Sequence, residues 1–307
     1  MKRLLNRLFW SVITLLCTAV LTFFLVNVVP GDVARVIAGS KASPDVIKEI
    51  HAKFHLDDPV WKRLGYYFGE LARGDLGKSY VTDQSVVEAI LTRFPTTAAL
   101  CATAVVMWML LAVPLGVLTA KFRGSWFDRL VLVLGTIGLS LPAFWLARML
   151  QYWLSYKLGW FPVAGFRSFL HLLLPAIALA ILAIGYYARL IHTNMVEVLD
   201  SPSIRAARAR GLPESAVLFK HALRNALMPI ITIMGLSLPD LFGGAFIIET
   251  IFAWPGMGRL GVAAIFSRNY PLIMGIAIFS AVLIVLGNLL ADIGYAMVDP
   301  RVRYGKE

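Results

Sequence analysis

Long apolar runs alternate with short basic intervals along the chain. The runs cover Leu8–Val29, Thr96–Ala120, Leu130–Leu154, Leu172–Ile191, Ala226–Ile248 and Leu272–Met297. At about 1.5 Å per helical residue, roughly 20 apolar residues cross a hydrocarbon core of about 30 Å. Each run meets that length, so the pattern predicts an all-α integral membrane protein with six transmembrane helices. The first run follows Lys2, Arg3 and Arg7, as a secretory signal would. It is too long for a signal core and has no small-x-small cleavage site before Pro30, so it reads as a retained span. Pro114, Pro142, Pro175 and Pro239 lie inside runs and predict kinked helices, which neighbouring spans can accommodate.

The interval 30–95 differs from the others. It is long and mixed, with acidic and basic residues in equal number, and Ser43–Phe54 and Pro59–Ala72 carry apolar residues at helical spacing. Asp45 and Pro59 near their starts are helix-opening residues. The organisation expected is a tail and first span over 1–29, an external helical subdomain over 30–95, a membrane domain over 96–298 with a cytoplasmic loop at 200–225, and a cytoplasmic tail over 299–307.

Composition agrees with the pattern: 59% of the 307 residues are hydrophobic, against about 45–50% in soluble domains. The net charge of +11 would suit nucleic acid or a membrane, and its distribution decides. With the N-terminus inside, the cytoplasmic segments hold Lys2, Arg3, Arg7, Lys121, Arg123, Arg129, Arg189, Arg205, Arg208, Arg210, Lys220, Arg224, Arg301, Arg303 and Lys306, whereas the two short external loops hold Lys157, Arg167, Arg259 and Arg268. This asymmetry places both termini of a multi-pass membrane protein in the cytosol and excludes a nucleic-acid partner. Cys17 and Cys101 both sit in apolar runs, which excludes a disulfide framework and leaves them as small apolar fillers.

The segment Asp200-Ser-Pro-Ser-Ile-Arg-Ala-Ala-Arg-Ala-Arg-Gly211-Leu-Pro-Glu-Ser predicts a helix capped by Ser201, opened by Pro202 and ended by a left-handed turn at Gly211. Pro213 then opens a second helix that runs through His221, Arg224 and Asn225 into the fifth span. Ala206, Ala207 and Ala209 allow a partner to approach closely, and Arg205, Arg208 and Arg210 can meet acidic or carbonyl groups, so the first helix suits docking into a groove. The competing reading is a solvated basic loop that only obeys the charge asymmetry.

Here the chain resembles the dipeptide, oligopeptide and nickel permease family of ABC importers. The resemblance rests on Ile204-Arg-Ala-Ala-Arg-Ala-Arg-Gly-Leu212 and His221-Ala-Leu-Arg-Asn-Ala-Leu-Met-Pro229, with Pro30-Gly-Asp32, Gly74-Asp-Leu-Gly-Lys-Ser79, Leu141-Pro-Ala-Phe-Trp-Leu-Ala147, Phe161-Pro-Val-Ala-Gly165, Glu249-Thr-Ile-Phe-Ala-Trp-Pro-Gly-Met-Gly258 and Asp299-Pro-Arg-Val-Arg303 on either side. Importers of this kind generally write the coupling loop Glu-Ala-Ala, three residues, Gly. Arg205-Ala206-Ala207 and Gly211 hold those places, and Arg224 stands where a later proline is usual. The resemblance implies a permease paired with a second homologous permease, docked on one or two ATPase subunits and supplied by an external binding protein. ATP and Mg would be bound by those partners and no cofactor by this chain. The coupling residues would be Ser203, Ile204, Arg205, Ala206, Ala207, Arg208, Arg210, Gly211, His221, Arg224 and Asn225.

Other chemistry is sparse. Gly77-Lys78-Ser79 imitates a phosphate-binding loop, but Ala72 stands where that loop needs glycine. His51 and His55, spaced i, i+4 on a predicted helix with Asp57 and Asp58 nearby, are weak metal candidates, although two surface histidines account for them as well. Charges in spans are costly and mark cavities or pairs: Arg148 and Asp240 are candidates for a mutual ion pair or for the translocation path, while Glu249 and Asp292 lie in ordinary family motifs near span ends. No span has a histidine in its interior and no inverted repeat is evident, which counts against the alternatives of a membrane enzyme or a stand-alone secondary transporter. The short Ser155–His171 loop resembles nickel or metallophore members more than dipeptide ones, a thin guide to substrate.

Overall fold

The computed structural model describes residues 2–28, 33–39 and 42–298. Pro30-Gly-Asp32, Asp299-Pro-Arg-Val-Arg303 and Lys306 lie outside them, as do the side chains of Lys2, Arg3 and Asp292. The described chain is helical: α1 (Lys2–Val28), α2 (Val33–Ala38), α3 (Pro44–Lys53), α4 (Val60–Ala72), α5 (Val86–Lys121), α6 (Trp126–Ser140), α7 (Ala143–Leu150), α8 (Phe169–Leu199), α9 (Pro202–Ala209), α10 (Leu223–Ile251), α11 (Met257–Phe266) and α12 (Tyr270–Val298). Two single-turn π-helical widenings interrupt the pattern, Gln151–Lys157 after α7 and Ala216–Ala222 before α10. Among the described residues five helices are long and apolar enough to cross a membrane, and a sixth span exists if α6 and the following helix count as one.

That sixth span corrects the sequence reading of one kinked helix over Leu130–Leu154. The two pieces meet at 106°. Pro142 excludes the helical conformation from the residue before it, and Leu141 is extended at φ −80°, ψ 133°. Pro142 then starts α7, its carbonyl accepting from Trp145 and Leu146 N–H. The prolines inside α5 and α8 leave those helices continuous. The helix of the second span also begins at Val86, ten residues before the apolar run at Thr96, and takes in Pro95.

The chain divides into two compact units, Met1–Thr96 with Pro255–Val285, and Thr97–Trp254 with Leu286–Glu307. In the first, α4 packs on α1 through stacked Phe23 and Tyr67, with centroids 5.7 Å apart, and through Phe24 edge-on to Trp61. Buried Ser79 accepts from Asn269 Nδ2 at 2.7 Å, and Asn269 Oδ1 accepts from Tyr80 N–H at 3.1 Å. The glycine-lysine-serine stretch is therefore a structural clasp onto the chain before α12.

In the second unit α8 is the hub, packed by α6, α7, α9 and α10. Without a hydrophobic drive between helices in lipid, association needs close backbone approach at small residues. Gly135 of α6 meets Gly185 of α8 so closely that a Cβ on Gly185 would stand 2.5 Å from the Gly135 Cα. On α5, a Cβ on Gly116 would stand 2.6 Å from the Ile191 Cβ and 2.8 Å from the Ala188 carbonyl. Gly185→Val is therefore expected to force α6 off α8, costing about 1–3 kcal/mol. The loss is read as a lower unfolding temperature of the detergent-purified protein, with a surface change such as Ser203→Ala as the unaffected control.

Candidate functional site

The basic loop forms a compact hairpin of helices. Ser201 is extended at φ −72°, ψ 152°, Pro202 fills the first helical position of α9, and Gly211 closes the turn at φ +77° with its N–H on the Arg208 carbonyl. The next helix opens after Pro213, whose carbonyl accepts from Ala216 and Val217 N–H. It passes through the π-helical widening into α10, with His221 half-buried and Arg224 and Asn225 exposed.

The two faces of α9 have different duties. Ile204 and Ala207 are 2% exposed, and Ile204 joins the apolar cluster of Val217, Leu218, Ala222, Ile191 and Met195. Ala207 therefore belongs to the anchoring face, which corrects the expectation that it would receive a partner. Ser203, Arg205, Ala206, Ala209 and Arg210 are outward. The Ser203 hydroxyl lies 2.9 Å from that of Ser201, Arg205 donates to the Asp200 carbonyl at 3.2 Å, and Arg210 donates to the Ala206 carbonyl at 3.3 Å.

Glu214 is the member that sequence reading missed. Arg208 donates to it through Nε at 3.2 Å and Nη2 at 2.8 Å, a two-pronged bridge across the Gly211 turn. Those bonds hold the Glu214 carboxyl below its ordinary range and raise the Arg208 guanidinium. The available signal was a lone acid six residues beyond an arginine, on the far side of a glycine-proline turn. Arg123, between α5 and α6, also reaches Asp200 at 3.7 Å. Nearby, Asp128 and His192 stand 3.4 Å apart, largely buried, and Asp128 Oδ2 accepts from Gly124 N–H at 2.9 Å.

The charged residues of the spans separate into different environments. Arg148 donates to Gln151 at 2.9 Å, and Gln151 in turn donates to the Val163 carbonyl at 2.8 Å. Glu249 is fully buried and accepts from Thr97 Oγ1 at 2.5 Å. Asp240 is exposed in a cleft of about 350 Å³ with Trp108, Tyr186 and Tyr187. Among the described residues no ion pair joins Arg148 to Asp240, which corrects that expectation: Arg148 is instead spent on the Gln151 network.

The histidine pair is also corrected. α3 ends at Lys53, and His55 lies beyond it in a left-handed turn at φ +53°, so the two rings do not share a helical face. His51 Nδ1 meets Asp57 at 2.7 Å and His55 Nδ1 meets Asp58 at 3.5 Å. Among the described residues no group of three or more His, Cys, Asp or Glu is placed to hold a metal.

The described residues form a bundle of membrane-length helices with an anchored helical hairpin between two of them. Residues 112–304 match the family of binding-protein-dependent transport system inner membrane components, and residues 1–101 match the N-terminal segment of such membrane components. A peptide transport system permease protein of Brucella abortus (strain 2308) is 42% identical over 309 residues, with 98% of each chain covered. The oligopeptide transport system permease protein AppB of Bacillus subtilis (strain 168) is 39% identical over 312 residues, covering 98% of this chain and 99% of that one. The glutathione transport system permease protein GsiC of Salmonella typhimurium is 38% identical over 300 residues, with 98% of each covered. Among solved structures, the inward-facing MetNI methionine ABC transporter shares the fold, with a TM-score of 0.57 at 19% identity over 69% of this chain and 97% of that one. The chain belongs to the family of binding-protein-dependent transport system inner membrane components. It is a multi-pass inner-membrane permease subunit of an ATP-driven importer, a transport subunit that forms the translocation pathway and works with ATPase and substrate-binding partners.

A carboxyl with a lowered folded-state pKa adds stability above its unfolded value and loses it as pH falls through the folded one. In wild type, backbone amide protection across 201–215 should therefore hold at pH 7 and fall only below the ordinary glutamate value of about 4.3. Glu214→Gln should lower it at pH 7 by roughly two- to fivefold, the scale of an exposed ion pair. Hydrogen exchange with mass spectrometry checks both, and equal protection in the variant would show that the bridge holds nothing.

Proposed function

We propose that this chain is one of two homologous permeases of a peptide importer, and that residues 203–224 form the element through which ATPase subunits drive it. The supporting observation is the pair of faces on α9: Ile204 and Ala207 are fixed in the core of the spans, while Ser203, Arg205, Ala206 and Arg210 are turned out. A helix held in this way moves as one body with α8 and α10. A push on its outer face then becomes a movement of the spans, which is coupling through an element with two arrangements.

The outer face carries small residues and cations together, suited to a groove lined with carbonyl or carboxylate oxygens. ATP and Mg would be held in that partner. The charge asymmetry of the loops supports placing both termini and this hairpin in the cytosol. The names of the relatives favour peptides over nickel; the short loop after the third span is the one feature on the other side.

A side chain on Gly211 would meet nothing within 4 Å inside the chain, yet φ +77° is strained for any residue with a Cβ, by about 1–2 kcal/mol. Gly211→Leu should therefore spare membrane insertion and abolish most uptake of labelled peptide by the assembled importer. Full uptake in that variant would remove the lever. Arg205→Cys should react with an impermeant thiol reagent only from the cytosolic face. The purified complex should contain an ATP-hydrolysing subunit, and solute movement by this chain unaided would overturn the reading.

A further inference from the structure

Within the first compact unit, a cavity of about 370 Å³ opens where the end of α1 and the start of α12 meet α3, α4 and the Asp75–Tyr80 segment. That volume falls in the range of small-ligand sites, about 300–1,000 Å³. The apolar stretches of the two spans are Phe9–Val28 and Tyr270–Leu289, so Val28 and Tyr270 stand where hydrocarbon gives way to headgroups. Phe23, Val26 and Met274 line the cavity from within about 8 Å of those ends, at 1.5 Å per helical residue. Its floor is therefore apolar and at membrane depth.

The rim is polar and carries both signs of charge. Arg63 and Glu70 line it from one face of α4, two turns and about 10 Å apart along the axis. Among the described residues neither head is held in an ion pair. Both act on the Tyr80 hydroxyl, which burial pushes up to about 12, with Arg63 drawing it down and Glu70 up. Tyr80 therefore stays a neutral donor between the two charges. Asp75 is spent on its own turn, accepting from Gly77 N–H at 2.8 Å. Partial burial and the Asp75 charge hold the Glu70 carboxyl above its ordinary range, a repulsion that a cation would relieve. Tyr66, 43% exposed, and Tyr80 add ring faces that favour an ammonium.

A soluble zwitterion would satisfy this rim and leave the floor unused, while an anionic lipid would cover the floor and leave Glu70 repelled. A lipid with both charges in its head meets every part. We propose that the cavity binds one zwitterionic glycerophospholipid, with its phosphate on Arg63, its ammonium on Glu70 beside Tyr66 and Tyr80, and the start of its acyl chains over Phe23, Val26 and Met274. The lipid would then join α3 and α4 to the two spans, so that the seating of residues 30–95 depends on the membrane. The site does not rest on the reading of α9 as the coupling element.

The purified importer complex, stripped of lipid in detergent and titrated with single lipids, tests this by native mass spectrometry, with ATP hydrolysis as the check that the complex is intact. Palmitoyl-oleoyl phosphatidylethanolamine should fill one site about tenfold more tightly than phosphatidylglycerol with the same chains, the scale of one charge-assisted contact. Glu70→Gln should erase that preference by weakening the ethanolamine lipid alone, and Arg63→Gln should weaken both lipids. Glycerophosphoethanolamine, which has the head without the chains, and trialanine should leave the bound lipid in place at equal concentration. Equal affinity for the two lipids, or a preference that survives Glu70→Gln, overturns the site. Displacement by either soluble zwitterion at equal concentration also overturns it, by making the cavity a solute site. Each of these outcomes leaves the permease assignment standing, since peptide uptake is measured separately.

Discussion

Helices in lipid gain nothing by hiding apolar side chains from one another, because the tails around them are as apolar as leucine. What holds them together is contact at short range, and short range requires residues with almost no side chain. The second unit depends on this constraint at α8. Gly185 lies against Gly135 of α6, and Ile191 lies over Gly116 of α5. Because α8 also ends at α9 and packs on α10, the geometry of the α9 hairpin inherits its precision from glycine contacts within the spans.

The hairpin uses a different kind of bond for each task. Ile204 and Ala207 hold α9 to the spans through packing, which is insensitive to salt. The Gly211 turn is closed by a backbone bond and bridged by Arg208 and Glu214, which are polar and exposed. The outward arginines carry local bonds to backbone carbonyls, which a partner's acceptors can replace at little cost. Rigidity therefore resides where the helix meets its own chain, and exchangeable contacts where it would meet another.

Much of this was legible in the residues, since apolar runs long enough to cross a bilayer are rarely built for any other solvent. α3 and α4 follow their capping residues closely, and the end of α9 follows Gly211. What was not legible depended on neighbours distant in sequence. Pro142 announces an irregularity, but a kink and a 106° corner differ by what packs around them. Ala207 looks like Ala206 and Ala209 until the helix is set against Val217 and Leu218. His55 fell off its helix because α3 ended two residues earlier. Arg148 and Asp240 looked like natural partners by charge alone, whereas Gln151 had already claimed the arginine.

The widened turn at Ala216–Ala222 has a consequence for how such a hairpin can change over time. A π-helical turn carries one residue more than the α-helix needs, and each residue of an α-helix advances the side-chain direction by about 100°. Because the widened turn takes up that extra residue, deleting one residue within it would restore a regular ladder and leave Pro213, Glu214 and the turn before them facing much as they do relative to α10. The widening thus serves as slack, where a change of one codon in length is taken up while the hairpin and the spans keep their mutual orientation.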